Sequence, residues 1–173
     1  MKLRVMTAAA VLALLTFAAC NNDDDDNNNA VNANDQSYVT MAAMSNYAEI
    51  SSSKIADSIS TDNSIKAFAQ HMISDHTKAQ DSLQLIAGQL GLYAPDSLDA
   101  VHVQQAASLR TLSGRAFDSA YIHGQVTDHQ STVALFQSEA TNGNNPTVKG
   151  YETQYIGGIQ MHLVMADSLA VNY

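Results

Sequence analysis

The chain has 173 residues, of which 17 are acidic and only 8 are Lys or Arg, for a formal net charge of −9 at pH 7. This excess of acidic residues argues against a nucleic-acid partner, because phosphate binding needs clustered Lys and Arg. The lone cysteine, Cys20, excludes an internal disulfide bond. The lack of Trp and the presence of only two prolines are typical of a helical protein.

Residues 1–19 have the pattern of a signal peptide. Two basic residues near the start precede an apolar run that is too short to span a bilayer as a stable helix. The small residues Ala18 and Ala19 stand directly before Cys20, and this arrangement resembles a bacterial lipoprotein signal. The resemblance implies cleavage before Cys20 and a lipid anchor on that cysteine. The alternative is ordinary secretory cleavage that leaves Cys20 free.

Residues 20–36 are rich in Asn and Asp and predict a disordered acidic tether, since they are too polar to offset their ordering entropy by burial. The run Asp23–Asp26 resembles the surface-export signal of some Gram-negative lipoproteins, and a solvated spacer is the alternative. Together with the lipid anchor, this segment predicts a protein of the bacterial cell envelope. We expect it at the outer membrane, on the periplasmic or the surface face, with the membrane as its partner.

Residues 37–173 have the length of one domain and show apolar residues at helical spacing. A first helix is predicted from near Ser37 to Ser60. Its predicted buried stripe contains Tyr38, Met41, Ala42, Ala48, Ile55, Ala56 and Ile59. A second helix is predicted over residues 65–90, after cap candidates in residues 61–64 and before Gly91.

Three further helices follow. The third is short, opening at residues 95–97 and ending near Leu112, and the fourth begins after the break at Ser113 and Gly114. The last begins at Pro146, with Asn145 as its cap. The predicted fold is therefore all-α, an antiparallel four-helix bundle with one extra short helix.

Three of these helices carry a histidine on the apolar stripe: His76, His129 and His162. A titratable ring among core residues must be hydrogen-bonded, paired with a charge or bound to a ligand. On the first helix, Glu49 borders the stripe. His102 flanks the third helix and is predicted to be partly exposed, with a local hydrogen bond.

The segments IKAFAQHMISDHTKAQDSL and LSGRAFDSAYIHGQVTDHQSTVALFQSEATNG, followed by the His162 helix, closely resemble the family DUF4142, a domain of unknown function. The resemblance covers about residues 37–170. It implies a bacterial protein, often secreted or lipid-anchored, with a ferritin-like fold. The family pattern has Glu at position 49, Asp-His at 75–76 and 128–129, and His at 162, all present here. Position 71 usually carries Arg or Lys, so His71 is interpreted as incidental.

Histidines from three helices of one bundle are a common way to build a metal site. We therefore expect His76, His129 and His162 to hold a divalent transition metal such as Zn, Fe, Mn or Cu, with Glu49 completing the set. Asp75 and Asp128 are predicted to accept a ring proton from a histidine on another helix.

The alternative is a buried His–Asp network that fixes the packing and binds nothing, in a non-enzymatic interaction module. The residues three before the histidines are Ile73, Val126 and Ile159, so the Glu-x-x-His motif of di-iron proteins is absent. The sequence also lacks a phosphate-binding loop, a nucleophile elbow and a Cys-x-x-Cys motif. No catalytic activity and no protein partner are therefore assigned.

Overall fold

The computed structural model describes residues 29–173, so the signal peptide predicted at 1–19, the lipidation site Cys20 and the first part of the tether lie outside the described residues. Every regular element in the described part is a helix, which confirms the predicted all-α class. The helices are α1 (Ala33–Ile59), α2 (Asn63–Leu90), α3 (Ala100–Leu109), α4 (Gly114–Asn142) and α5 (Pro146–Ala170). None of them is both long and apolar enough to cross a membrane.

The ends of α2 and α5 lie where local chemistry stabilises them. The Asp62 side chain accepts hydrogen bonds from two backbone N–H groups of the first turn of α2. Helix α2 ends at Gly91, whose φ of 67° lies in the left-handed region that favours glycine. The Asn145 side chain caps α5 in the same way as Asp62 caps α2, and Pro146 is the first helical residue.

Helix α1 begins at Ala33, four residues before the predicted start. Its N-cap is Asn32, which forms a capping box with Asp35, so residues 33–36 belong to the helix and not to the tether. The prediction was wrong here because Asn and Asp, which favour disorder in bulk, are also the strongest N-cap residues.

The Asp35 side chain connects the start of α1 to the loop between α4 and α5. It is fully buried, and its oxygens accept hydrogen bonds from the backbone N–H groups of Asn32 (2.6 Å), Asn144 (2.9 Å) and Asn145 (3.0 Å). Burial opposes ionisation, but these N–H groups hold the pKa of Asp35 below its ordinary value. Asp35 is therefore a buried carboxylate that joins two distant segments of the chain.

Helix α3 is shorter than predicted, because residues 95–97 stay outside it. The Asp99 side chain accepts from the backbone N–H of His102 and thereby sets the helix start. The preceding segment packs on α2, where the Pro95 carbonyl accepts from the side chain of Gln84 at 3.4 Å.

The four long helices surround a common interior. Helix α1 contacts α2 and α4, helix α5 contacts the same two, and the short α3 lies against α1 and α4. Two apolar clusters fill this interior. The fully buried members of the first include Tyr38, Val39, Ala43, Leu83, Phe136, Val148 and Tyr151. Those of the second include Ile65, Phe68, Met72, Phe117, Tyr121, Ile122 and Ala166.

The order of the clusters along each helix gives the helix directions. Helices α1 and α5 pass from the first cluster to the second, whereas α2 and α4 pass from the second to the first. Long helices in contact therefore run in opposite directions. A polar layer separates the two clusters, and each long helix crosses it once.

We expect Asp35→Ala to lower the free energy of unfolding by about 2 to 4 kcal/mol at pH 7, because buried N–H donors lose their acceptor. Chemical denaturation followed by circular dichroism measures the change. Asp81→Ala is the control, since Asp81 is an exposed carboxylate on α2, and a change within about 0.5 kcal/mol is expected there. Equal effects of the two substitutions would show that Asp35 does not hold the α4–α5 loop.

Candidate metal centre

Three histidines meet in the polar layer between the two apolar clusters. His76 comes from α2, His129 from α4 and His162 from α5, and each is at most 2% exposed. Their ring centroids are 5.3 to 5.5 Å apart. One ring nitrogen from each lies within 4.8 Å of those of the other two. The structure therefore brings together all three histidines that the sequence predicted.

On each ring, one nitrogen lies within hydrogen-bonding distance of an acceptor oxygen. His76 Nδ1 lies 3.0 Å from Asn46 Oδ1, and His129 Nδ1 lies 2.9 Å from the backbone oxygen of Gln125. His162 Nε2 lies 3.3 Å from Asp75 Oδ2. Because each partner atom is an oxygen that accepts, these three nitrogens carry the ring protons.

The orientation of the Asn46 amide is fixed by its other contacts. Its Nδ2 donates to Gln80 Oε1 at 3.2 Å and to the Tyr151 hydroxyl at 3.1 Å. The amide oxygen is then left to accept from His76. Two neighbouring helices thereby help to determine which nitrogen of His76 is protonated.

The remaining ring nitrogens have no hydrogen-bond partner among the described residues and are buried. They are His76 Nε2, His129 Nε2 and His162 Nδ1. A neutral imidazole protonated on one nitrogen has its lone pair on the other. Each of the three adjacent rings therefore keeps one buried lone pair to which the described residues supply no donor.

The pKa values of the three rings favour this neutral state. Burial lowers the pKa of each ring; for His76 it falls well below the ordinary value, with the neighbouring His129 and His162 adding to the effect. For His162, burial and the proximity of His129 lower the pKa to about 4 despite the Asp75 carboxylate. At neutral pH all three rings are uncharged, which is the form that binds metal ions.

Glu49, the predicted fourth ligand, does not belong to the group of ligand atoms that lie within 4.8 Å of one another. Its Oε1 is 3.5 Å from His129 Nδ1, the nitrogen that also lies 2.9 Å from the Gln125 carbonyl oxygen. Burial, with the Asp128 charge as a smaller contribution, raises the pKa of Glu49 to about 8. Neither carboxyl oxygen of Glu49 has a hydrogen-bond partner among the described residues, so Glu49 is a buried neighbour of the His129 ring.

The two predicted aspartates differ in their roles. Asp75 on α2 hydrogen-bonds His162 on α5, as the sequence predicted for a histidine on another helix. Asp128 hydrogen-bonds no histidine ring in residues 29–173. It instead lines a cleft between α1, α3 and α4, together with His102. His102 is half-buried and its Nδ1 lies 2.9 Å from Asp99 Oδ2, which is a local contact of the kind predicted.

Two residues that contribute to the site were missed from sequence. Asn46 lies four residues after Ala42 and three before Glu49, so helical spacing could have placed it on the buried stripe. His71 was treated as incidental, yet its ring centroid lies 5.2 Å from that of His162. His71 is one helical turn before Asp75, and this i,i+4 spacing could have indicated from sequence that the two side chains are neighbours.

The metal-free protein is expected to lose stability as the pH falls from about 6.5 towards 4, measured by urea denaturation with a chelator present. Because the folded-state pKa values of the three histidines lie below the unfolded value of 6.5, their contribution is complete above pH 6.5. This contribution to the free energy of unfolding is lost as the pH falls below 6.5 and through the lowered folded-state pKa values of the histidines. His162→Gln should show a shallower loss than the wild type. His123→Gln, which replaces an exposed histidine on α4, should follow the wild type, and identical profiles for all three proteins would contradict the burial of neutral rings.

Comparison with known proteins agrees with this architecture. The crystal structure of a DUF305 fragment from Deinococcus radiodurans is similar, with a TM-score of 0.73 at 11% sequence identity, over 83% of this chain and 99% of that chain. At this identity the likeness shows the fold alone. A search of curated proteins gives no match. The family model described as a domain of unknown function, DUF4142, matches residues 21–169. Since this match spans most of the sequence, the chain belongs to the DUF4142 family.

Proposed function

We propose that this protein binds a divalent transition metal through His76, His129 and His162. The observation that carries the proposal is the convergence of three buried, unpartnered ring nitrogens. An unpaired buried polar atom is costly to keep, and three that face one another would be more so. A cation bound between them satisfies all three at once.

The donor set narrows the choice of metal. Imidazole nitrogens suit Zn, Cu and Fe, whereas Mn favours oxygen ligands, and Glu49 is not among the ligand atoms that lie within 4.8 Å of one another. Three protein ligands leave further coordination positions open, as catalytic zinc sites do. No substrate-binding group is identified beside the cluster, so the proposed function is metal binding without an assigned reaction.

The protein's own residues would position the ligands before the metal binds. Asn46, the Gln125 carbonyl and Asp75 each hold one ring proton, so each ring presents its lone pair inwards. The two apolar clusters on either side limit the access of water to the layer. Little reorganisation is then needed when an ion enters.

The scaffold of this site is proposed to be a ferritin-like antiparallel four-helix bundle with α3 as an added helix. Its support is the alternation of helix directions and the packing of each long helix on two others. Ferritin-like di-iron chemistry is not part of the proposal, because each of the three histidines lacks the Glu three residues before it.

Metal analysis of the purified protein tests the proposal. After loading with Zn(II) and gel filtration, the wild type should retain a tightly bound ion at about one per chain, as expected for three imidazole ligands. His129→Ala should weaken that binding on the order of 100-fold or more, since ligand loss exceeds the 10- to 100-fold effect of outer contacts. The matched control is His123→Ala on the same helix, which should bind like the wild type. Wild-type protein that retains no Zn(II), Cu(II) or Fe(II) would favour a purely structural network instead.

The protein is further proposed to be a lipid-anchored envelope protein, attached to the outer membrane through Cys20. The support is the sequence of residues 1–20 and the short stretch between Cys20 and the cap residue Asn32. This spacing would hold the helical domain close to the membrane surface.

Cys20→Ser should abolish incorporation of labelled palmitate in a Gram-negative host and move the protein from the membrane fraction to the soluble fraction. The control is the Asn21→Ser substitution at the adjacent position, which keeps the cysteine. Membrane association that survives Cys20→Ser, with no label on the wild type, would contradict the anchor.

A further inference from the structure

A second group of candidate ligands lies next to the inner cluster, on the side where α2 meets α5. It consists of His71, Asp75 and His162, whose ligand atoms lie within 4.8 Å of one another. Asp75 Oδ2 is 3.5 Å from His71 Nε2 and 3.3 Å from His162 Nε2. Two imidazole nitrogens and a carboxylate oxygen are a common ligand set for zinc and other transition metals.

The His162 ring is a member of both groups. Its Nδ1 is buried without a partner among the described residues, and its Nε2 lies 3.3 Å from Asp75 Oδ2 of the outer group. The two nitrogens of an imidazole project from opposite sides of the ring. Two cations could therefore be bound on either side of His162 without competing for the same atom.

The outer group is accessible from solvent, whereas the inner cluster is buried. The side chains of His71 and Asp75 are 38% and 33% exposed, against 3% for His162. A cleft between α2 and α5 is lined by Asp75, His76, Gly158 and His162, so it reaches residues of both groups. A metal ion arriving from water would meet the outer ligands first.

We propose that His71, Asp75 and His162 Nε2 form a second binding position for a borderline divalent cation such as Zn(II) or Cu(II), sharing the His162 ring with the inner one. The inference rests on the proposed function, because His162 is also one of the three ligands proposed for the inner cluster. With both positions filled, His162 would lose its Nε2 proton to solvent. As an imidazolate it would offer one nitrogen to each cation.

The outer position is expected to bind more weakly than the inner one. The Lys78 ammonium lies 3.2 Å from Asp75 Oδ1 and repels a cation bound to the same carboxylate. Since the Lys78 side chain is 70% exposed, solvent screens much of this repulsion. Replacing Lys78 with Met should therefore tighten the outer position by only a few-fold.

Calorimetric titration of the wild type with Zn(II) should resolve two binding events of different affinity. His71→Ala should remove the weaker event and leave the tighter one unchanged, and its fold is checked by circular dichroism. His123→Ala should retain both. A wild type that binds a single ion, or a His71→Ala protein that still binds two, would overturn the second position while leaving the inner site intact. Absence of any binding would overturn both proposals.

Titration with Cu(II) tests separately whether the His162 ring bridges the two bound ions. Two Cu(II) ions bridged by one imidazolate couple magnetically, so the paramagnetic signal per bound copper should fall at two equivalents. In His71→Ala the signal should remain in proportion to the one copper bound. A full signal from two coppers in the wild type would show that His162 does not bridge them.

Discussion

The structure depends on the placement of three neutral imidazoles in one buried layer, each with one ring N–H group held by a hydrogen bond. Burial lowers the pKa of every ring, so the neutral state needs no counter-charge. What it does need is an acceptor for the remaining N–H group. Asn46, the Gln125 carbonyl and Asp75 meet that need from two other helices and from the preceding turn of α4. The second nitrogen of each ring then keeps a buried lone pair without a partner among the described residues.

The layer is set by the order of residues along four helices. On each of α2, α4 and α5 the histidine comes between residues of one apolar cluster and residues of the other. On α1 the polar residues Asn46, Glu49 and Ser53 occupy the same interval. Because contacting helices run in opposite directions, these intervals meet at the same height. The apolar clusters then stabilise the fold at both ends, while the middle remains available for polar chemistry.

Much of this could be predicted from sequence, because helical periodicity reports which residues share a face. It identified the three core histidines, and the caps at Asp62 and Asn145 follow from local rules. Helical periodicity predicts burial less reliably for residues at the edges of an apolar stripe. Met41 was expected to be buried and is 46% exposed, whereas the neighbouring stripe position at Asn46 was overlooked and is 5% exposed. A polar residue in a buried stripe carries little hydrophobic signal, although here Asn46 positions the His76 ring.

The positions of Glu49 and Asp128 could not be predicted, because they depend on which side of a ring a neighbouring group lies. Helical spacing gives the angle around one helix, but not the nitrogen that a partner on another helix will face. Glu49 Oε1 lies 3.5 Å from His129 Nδ1. Asp128 lines a cleft beside α3, and the packing of α3 against α1 and α4 is a tertiary property. The burial of Asp35 likewise depends on a loop more than a hundred residues away in sequence.

The pattern of satisfied and unsatisfied nitrogens supports the proposed metal site over a network that serves only packing. A network that serves only the fold is most stable when every buried donor and acceptor has a partner. Here each ring has one nitrogen held by the protein and one buried nitrogen without a partner among the described residues, and ligand atoms of the three rings lie within 4.8 Å of one another. A cation accepts lone pairs, so one bound between the three rings would give every unpartnered ring nitrogen a partner.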